Sequence, residues 1–177
     1  MAAGLGILGL ALVLRVYRIG EQELWWDEAL SSHLAIVTDG LGQALRLEDT
    51  PPLYYLLLRG WVAVAGTSEA AIRLLSACFG TLFVGTAIVA GWRLFNRSVG
   101  LWSGAVAALS PIHIYYSQEA RSYALLTWAL LLSYLLFWRA MQQNSWTSWI
   151  HAALAALLAL YTHYLALFGL LPALVLV

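Results

Sequence analysis

Apolar residues run along this chain in long blocks separated by short polar islands. The first block, residues 2–14, follows Met1 with no basic segment ahead of it and no small-residue cleavage pattern before Arg15 and Arg18. A spanning helix therefore fits it better than a secretory signal. If both arginines reach the interface along their alkyl stems, Val16, Tyr17 and Ile19 extend the span to 2–19. Residues 20–51 are the one extended polar stretch. After Pro51 and Pro52 comes an aromatic, apolar piece at 53–66, interrupted by Arg59. About 14 helical residues cover only ~21 Å, less than a hydrocarbon core of ~30 Å, which predicts an amphipathic helix lying along the membrane surface. Further spans are predicted at 70–92, at 99–116 with a bend at Pro111, and at 123–138. The last apolar run, 149–177, exceeds one span and falls short of two, so a break is expected near Tyr161, Thr162, His163 and Tyr164. That gives spans at 149–164 and, incomplete, at 165–177. The pattern predicts an all-α fold: one membrane domain, a polytopic transmembrane helical bundle of about five to six spans with a long first loop at 20–68.

Composition supports this and narrows the function classes. The chain is 62% hydrophobic and 10% charged, with a mean hydropathy of +0.79. Soluble domains carry roughly 25% charged residues, so ordinary globular, disordered and disulfide-framework proteins are excluded. Nine arginines, no lysine and nine acidic residues leave zero net charge, which argues against nucleic acid as a partner. The lone Cys78 sits in an apolar run and reads as a small core residue. No repeat of 20–50 residues and no low-complexity tract is present.

The scarce charge is unevenly placed. Seven of the nine acids, Glu21, Glu23, Asp27, Glu28, Asp39, Glu48 and Asp49, fall in residues 20–51. Two short polar turns, 93–98 and 139–148, are flanked by Trp92, Trp102, Trp138, Trp146 and Trp149, as an aromatic belt would be. If 53–66 lies on the surface, the acidic loop and the polar cluster at 117–121 share one side of the membrane and the two turns share the other. If it spans, the bilayer separates the two polar clusters. The turns hold Arg93, Arg97 and Arg139, against six arginines opposite. A literal positive-inside count would put the acidic loop in the cytoplasm, but arginines recruited to an anionic ligand mislead such a count, and composition leaves the orientation open.

Four stretches could carry chemistry. In Leu24-Trp25-Trp26-Asp27-Glu28-Ala29-Leu30, two aromatics would seat the segment at headgroup level and hold two carboxylates above the hydrocarbon. A carboxylate there could act as a general base; equally, Asp27 could cap a short helix over 29–36 with Glu28 complementing its dipole. Adjacent residues do not straddle a glycosidic bond as paired hydrolase carboxylates do, so at most one is the base. In the 111–123 stretch, a helix would set Ser117 and Gln118 on the face of Arg121, whose planar fork suits phosphate. The alternative is an Arg121 paired with Glu119 or with headgroups. The junction Glu48-Asp49-Thr50-Pro51-Pro52-Leu53-Tyr54-Tyr55 has proline at a helix start, and its tyrosines fit either an interfacial belt or a lipid or sugar site. His163, among aromatics, reads as a hydrogen-bonded structural residue or as a ligand contact. The four histidines have no metal-ligand spacing, and no phosphate-cradling glycine loop or nucleophile elbow is present.

Taken in order, the motifs resemble the GT-C membrane glycosyltransferases of the protein-mannosyltransferase and aminoarabinose-transferase type, in particular their bacterial RgtA/B/C/D-like branch. The matching residues are Trp26-Asp27-Glu28-Ala29, Pro51-Pro52-Leu53-Tyr54-Tyr55, Ser68-Glu69-Ala70-Ala71-Ile72-Arg73, Tyr115-Tyr116-Ser117-Gln118-Glu119-Ala120-Arg121-Ser122-Tyr123 and Tyr161-Thr162-His163-Tyr164. The resemblance implies a multi-pass protein of the bacterial cytoplasmic (inner) membrane, with the first loop and active site on the extracytoplasmic side. It implies transfer of a sugar, with inversion, from a polyprenyl-phosphate donor to a lipid, glycan or protein acceptor. Asp27, with Glu28 beside it, would then be catalytic. Arg121, Gln118, Glu119, Tyr123, Asp49, Thr50, Tyr54, Tyr55 and His163 would be the candidates to bind substrate. Membrane lipids are further expected partners, no cofactor is implied, and a divalent metal is neither required nor excluded. Relatives continue through many more helices, so the chain is expected to be an N-terminal part. The competing readings are a non-catalytic or truncated polytopic protein and a small transporter. A transporter expects broken helices with polar groups at the midplane, whereas here charge gathers in one loop and at helix ends.

Overall fold

A computed structural model describes residues 2–37, 42 and 50–175. Asp39, Arg46, Glu48 and the candidate Asp49 lie outside the described residues. The described chain is helical, without strands: α1 Ala2–Val16, α2 Trp26–Ile36, α3 Leu53–Ala65, α4 Glu69–Leu94, α5 Arg97–Leu109, α6 Pro111–Ser117, α7 Tyr123–Gln143, α8 Trp146–Thr162 and α9 Ala166–Val175. Two of these, α4 and α7, with 26 and 21 residues, are long and apolar enough to cross a membrane; at 1.5 Å per residue they cover roughly 39 and 32 Å. Helix α4 is the hub, touching α1, α3, α5, α6 and α7, while α8 packs along α7.

Local signals set most boundaries. Ser68 and Asn96 cap α4 and α5 by accepting the Ala71 and Val99 N–H groups, and Ser145 and Ser148 close a reciprocal capping box on α8. Asn144, at φ 44°, ends α7 in the left-handed region that asparagine tolerates. Helices α4 and α5 meet backbone to backbone: a Cβ on Gly100 would stand 2.5 Å from the Ile88 carbonyl oxygen. Such close approach of small residues is how helices associate where lipid removes the hydrophobic drive. The expected break near 161–164 falls between α8 and α9.

The first apolar helix is shorter than the expected block at 2–19. Helix α1 ends at Val16, and Arg15 does not reach for the interface but is fully buried. The cause is the bend at Ser110–Pro111. Proline has no N–H, so the Ala107 carbonyl loses its helical donor; Arg15 supplies one at 3.2 Å, with a second to Ala108 at 3.4 Å. Its Nε donates to Ser117 Oγ at 3.2 Å. A cation here also complements the C-terminal dipole of α5. Gly80 makes the room, since a Cβ there would lie 2.0 Å from Ser117 Oγ and 2.9 Å from Arg15 Nε. Arg18, in contrast, is exposed, has φ 56° and pairs with Glu21.

Tyr54 and Tyr55 are not belt residues. Both are buried in a cluster with Leu34, Leu58, Ile72 and Leu125, joining α2, α3, α4 and α7. Burying an aromatic side chain of this kind contributes about 1.5–3 kcal/mol in water. The opposite face of α3 exposes Leu56, Leu57 and Val64.

Candidate active site

The two adjacent carboxylates take opposite environments. Asp27 does not cap a helix starting at Ala29: α2 begins at Trp26, the N-cap position is Trp25, and Asp27 and Glu28 both lie in the first turn. Successive helical side chains diverge by about 100°, so Glu28 points into the protein and Asp27 to its rim. Glu28 is 1% exposed and fully engaged. Arg73 of α4 grips it with both arms, Nε to Oε1 at 2.8 Å and Nη2 to Oε2 at 2.6 Å, and the Ala120 N–H donates to Oε1 at 2.8 Å. Arg73 also donates to the carbonyls of Ile19, Gln22 and Glu23. A buried pair holds only when desolvation is offset by good geometry and further hydrogen bonds, and this one has both. It ties the chain before α2, the start of α2, the start of α4 and the 118–122 loop into one unit.

That unit places Asp27 beside Arg121. Their Oδ2 and Nη2 atoms are 3.7 Å apart, with the Asp27 side chain 37% exposed and that of Arg121 11%. The backbone of Arg121 is held from below, where Ser76 Oγ donates to its carbonyl at 3.3 Å and shares a 2.9 Å hydrogen bond with the Tyr54 hydroxyl. The Arg121 guanidinium carbon lies 6.0 Å from the centre of the Tyr123 ring. From there an aromatic wall runs one way to Tyr116, at 5.0 Å between centroids, and the other way to His163 at 6.0 Å and on to Tyr164 at 4.5 Å.

Burial pushes the Glu119 carboxyl above the usual carboxylate range, and the Glu28 and Asp27 carboxylates push the same way; a Tyr115 hydrogen bond and Arg121 oppose them. Burial likewise raises the Tyr54 phenol, keeping it a neutral donor or acceptor.

The remaining sequence candidates spread around this centre. Gln118 donates to the carbonyls of Leu14, Arg15 and Tyr17 and so closes the end of α1. Thr50 and Tyr55 share a 3.2 Å hydrogen bond at the head of α3. His163 Nδ1 accepts from the Leu165 N–H at 3.1 Å, which leaves Nε2 to carry the proton of the neutral ring. Arg73 and Arg15 were not singled out from the sequence as functional. Arg73 could have been found as a lone cation opening an otherwise apolar helix in a chain rich in loop carboxylates.

Among the described residues no group of three or more metal-ligating side chains comes together. A half-exposed carboxylate against a guanidinium, beside an aromatic wall, can accept a proton and bind an anion at neighbouring points.

No curated protein and no solved structure matches the chain. A family model does match: that described as dolichyl-phosphate-mannose-protein mannosyltransferase, over residues 49–177. The matched stretch contains Arg73, Glu119, Arg121 and His163 and begins after Asp27 and Glu28. With nearly three-quarters of its length inside the match, the chain belongs to this family of GT-C glycosyltransferases.

Proposed function

We propose that this chain carries the catalytic face of an inverting glycosyltransferase that uses a polyprenyl-phosphate-linked sugar. The observation behind the reading is the Asp27–Arg121 arrangement, 3.7 Å apart at the rim and built on the Glu28–Arg73 clamp. Asp27 takes the proton of the acceptor hydroxyl or amine as the acceptor atom bonds to the anomeric carbon. The bond from that carbon to the donor phosphate oxygen breaks, and the electron pair leaves with the phosphate. Arg121 stabilises the negative charge growing on this leaving group, at a point where a fixed guanidinium acts most strongly. Glu28 has both oxygens occupied and serves as a positioning residue. The wall Tyr116–Tyr123–His163 offers flat apolar faces to a sugar ring or an isoprenoid chain. The placement of the rim on the extracytoplasmic side of a bacterial inner membrane, in a protein crossing it about five to six times, belongs to the same proposal.

The test is sugar transfer by the protein in vesicles, with polyprenyl-phosphate mannose, the donor in the family's description, as the first probe. Asp27→Asn should lower kcat by about 10²–10⁴-fold, the usual contribution of a general base, without changing the melting temperature. Arg121→Gln should weaken donor binding as well as turnover. Retained turnover in Asp27→Asn removes it as the base; unchanged donor affinity in Arg121→Gln removes the phosphate role.

A further inference from the structure

All nine carboxylates of the chain lie at positions 21–69 and 119, so residues 70–118 and 120–177 contain none. The end of the bundle formed by the 93–98 and 139–148 turns therefore carries Arg93, Arg97 and Arg139 with no acidic residue in either turn. Helix dipoles do not restore the balance. The C-termini of α4 and α7 end there, but the N-termini of α5 and α8 start there, and each end carries only about half a charge of opposite sign. Among the described residues no carboxylate offsets this arginine charge, which leaves it to be met by a ligand.

A groove at this end has the shape for the counter-ion. It measures about 380 Å³ and lies between the last turns of α4 and α7. Val89 and Leu136 form its apolar wall, Trp138 stands beside them, and Arg93 and Arg139 line it together. Arg139 Nε donates to Gln143 Oε1 at 3.2 Å, which leaves its Nη donors for a ligand. The Arg93 guanidinium has no hydrogen bond or ion pair among the described residues. Two guanidinia at the mouth of an apolar slot, at the depth of a tryptophan belt, match a molecule with a phosphate at one end and hydrocarbon at the other.

We infer that the α4–α7 groove is a binding site for an anionic phospholipid, its phosphodiester between Arg93 and Arg139 and an acyl chain along Val89 and Leu136. The site lies at the opposite end of the bundle from Asp27 and Arg121 and is separate from the donor site. Arginine suits the phosphate because its fork donates in pairs. The apolar wall commits the site to a lipid rather than to free phosphate.

The protein is reconstituted in nanodiscs of equal parts phosphatidylglycerol and phosphatidylcholine, released into mild detergent, and its retained lipids are counted by native mass spectrometry. Wild type should keep phosphatidylglycerol over phosphatidylcholine, and water-soluble glycerophosphoglycerol should not displace it. Arg93→Gln/Arg139→Gln should reduce that preference about thirty-fold, the ratio two arginines carry against a headgroup with no cation of its own. Leu136→Trp, which fills the slot and keeps both arginines, should lose the lipid as well and carries the test if the double variant does not fold. Undiminished retention in the folded variant, or displacement by glycerophosphoglycerol, overturns the inference.

Discussion

The two polar ends of this bundle use arginine in opposite ways. At the acidic end the cations are engaged within the chain: Arg73 grips Glu28, Arg121 faces Asp27 and Arg18 pairs with Glu21. At the turn end Arg93, Arg97 and Arg139 have no carboxylate partner among the described residues. The first set builds a geometry; the second remains available to what lies outside. Counting arginines by side, six against three, does not separate these two uses. The arginines therefore differ in what their removal costs, and this is where the comparison can be broken.

The largest expected effect is at Arg73. Arg73→Leu would leave Glu28 buried without its countercharge, a loss of about 3–5 kcal/mol. Arg139→Ala, at the exposed turn end, should stay within about 0.5 kcal/mol. Unfolding of both variants in the same detergent checks this, and similar losses would erase the distinction between the ends. A Glu28→Leu/Arg73→Leu pair sharpens it further. An apolar replacement of the whole pair should recover much of the stability, while sugar transfer stays impaired because nothing then anchors the 118–122 loop through the Ala120 N–H. Full activity in the stable double variant would reduce the clamp to a purely structural role.

Much of the helical framework was legible in the sequence, because hydrophobic block length and caps are local. The apolar block at 70–92 is the helix Glu69–Leu94, long and apolar enough to cross a membrane, and helices break at Pro111 and near 161–164 as the residues there demand. The division of labour between Asp27 and Glu28 was half-legible: 100° per residue forces neighbours apart. Which of them turns inward depends on Arg73, 45 positions away. Arg15 shows the limit most clearly. An arginine at the end of an apolar block reads as snorkelling, and only the fold brings the proline-orphaned carbonyl of Ala107, 92 positions on, within its reach. Tyr54 and Tyr55 followed the same course, since an aromatic pair after a double proline fits a belt as well as a core until α2 and α4 are packed against it.

Between the ends, Arg15 gives the next effect in size. Arg15→Met should cost about 1–3 kcal/mol by leaving buried carbonyls of the α5–α6 break without donors. Gly80→Ala should cost a similar ~1–3 kcal/mol by overpacking against Ser117. The two act on one contact, so the double variant should lose less than the sum. Strict additivity in unfolding measurements would mean that Gly80 does not make room for Arg15.

The smallest effect is a slope. Glu119 belongs to the acidic end, and burial together with the neighbouring Glu28 and Asp27 carboxylates raises its folded-state pKa above the usual carboxylate value. Between that usual value and the raised one, the native chain holds a proton that the unfolded chain has already released. Stability then falls as pH rises through this window, because the native state binds the extra proton. The contribution is present on the acid side and lost once Glu119 ionises in the folded chain. Glu119→Gln keeps the shape and removes the titration, so a plot of melting temperature against pH, from about 4 to 8, should lose this part of its decline. Arg139→Gln removes no group that titrates in that range and should leave the decline in place. If Glu119→Gln and wild type decline in parallel, the crowding of carboxylates around Asp27 does not reach Glu119, and the acidic end is less tightly coupled than its hydrogen bonds make it.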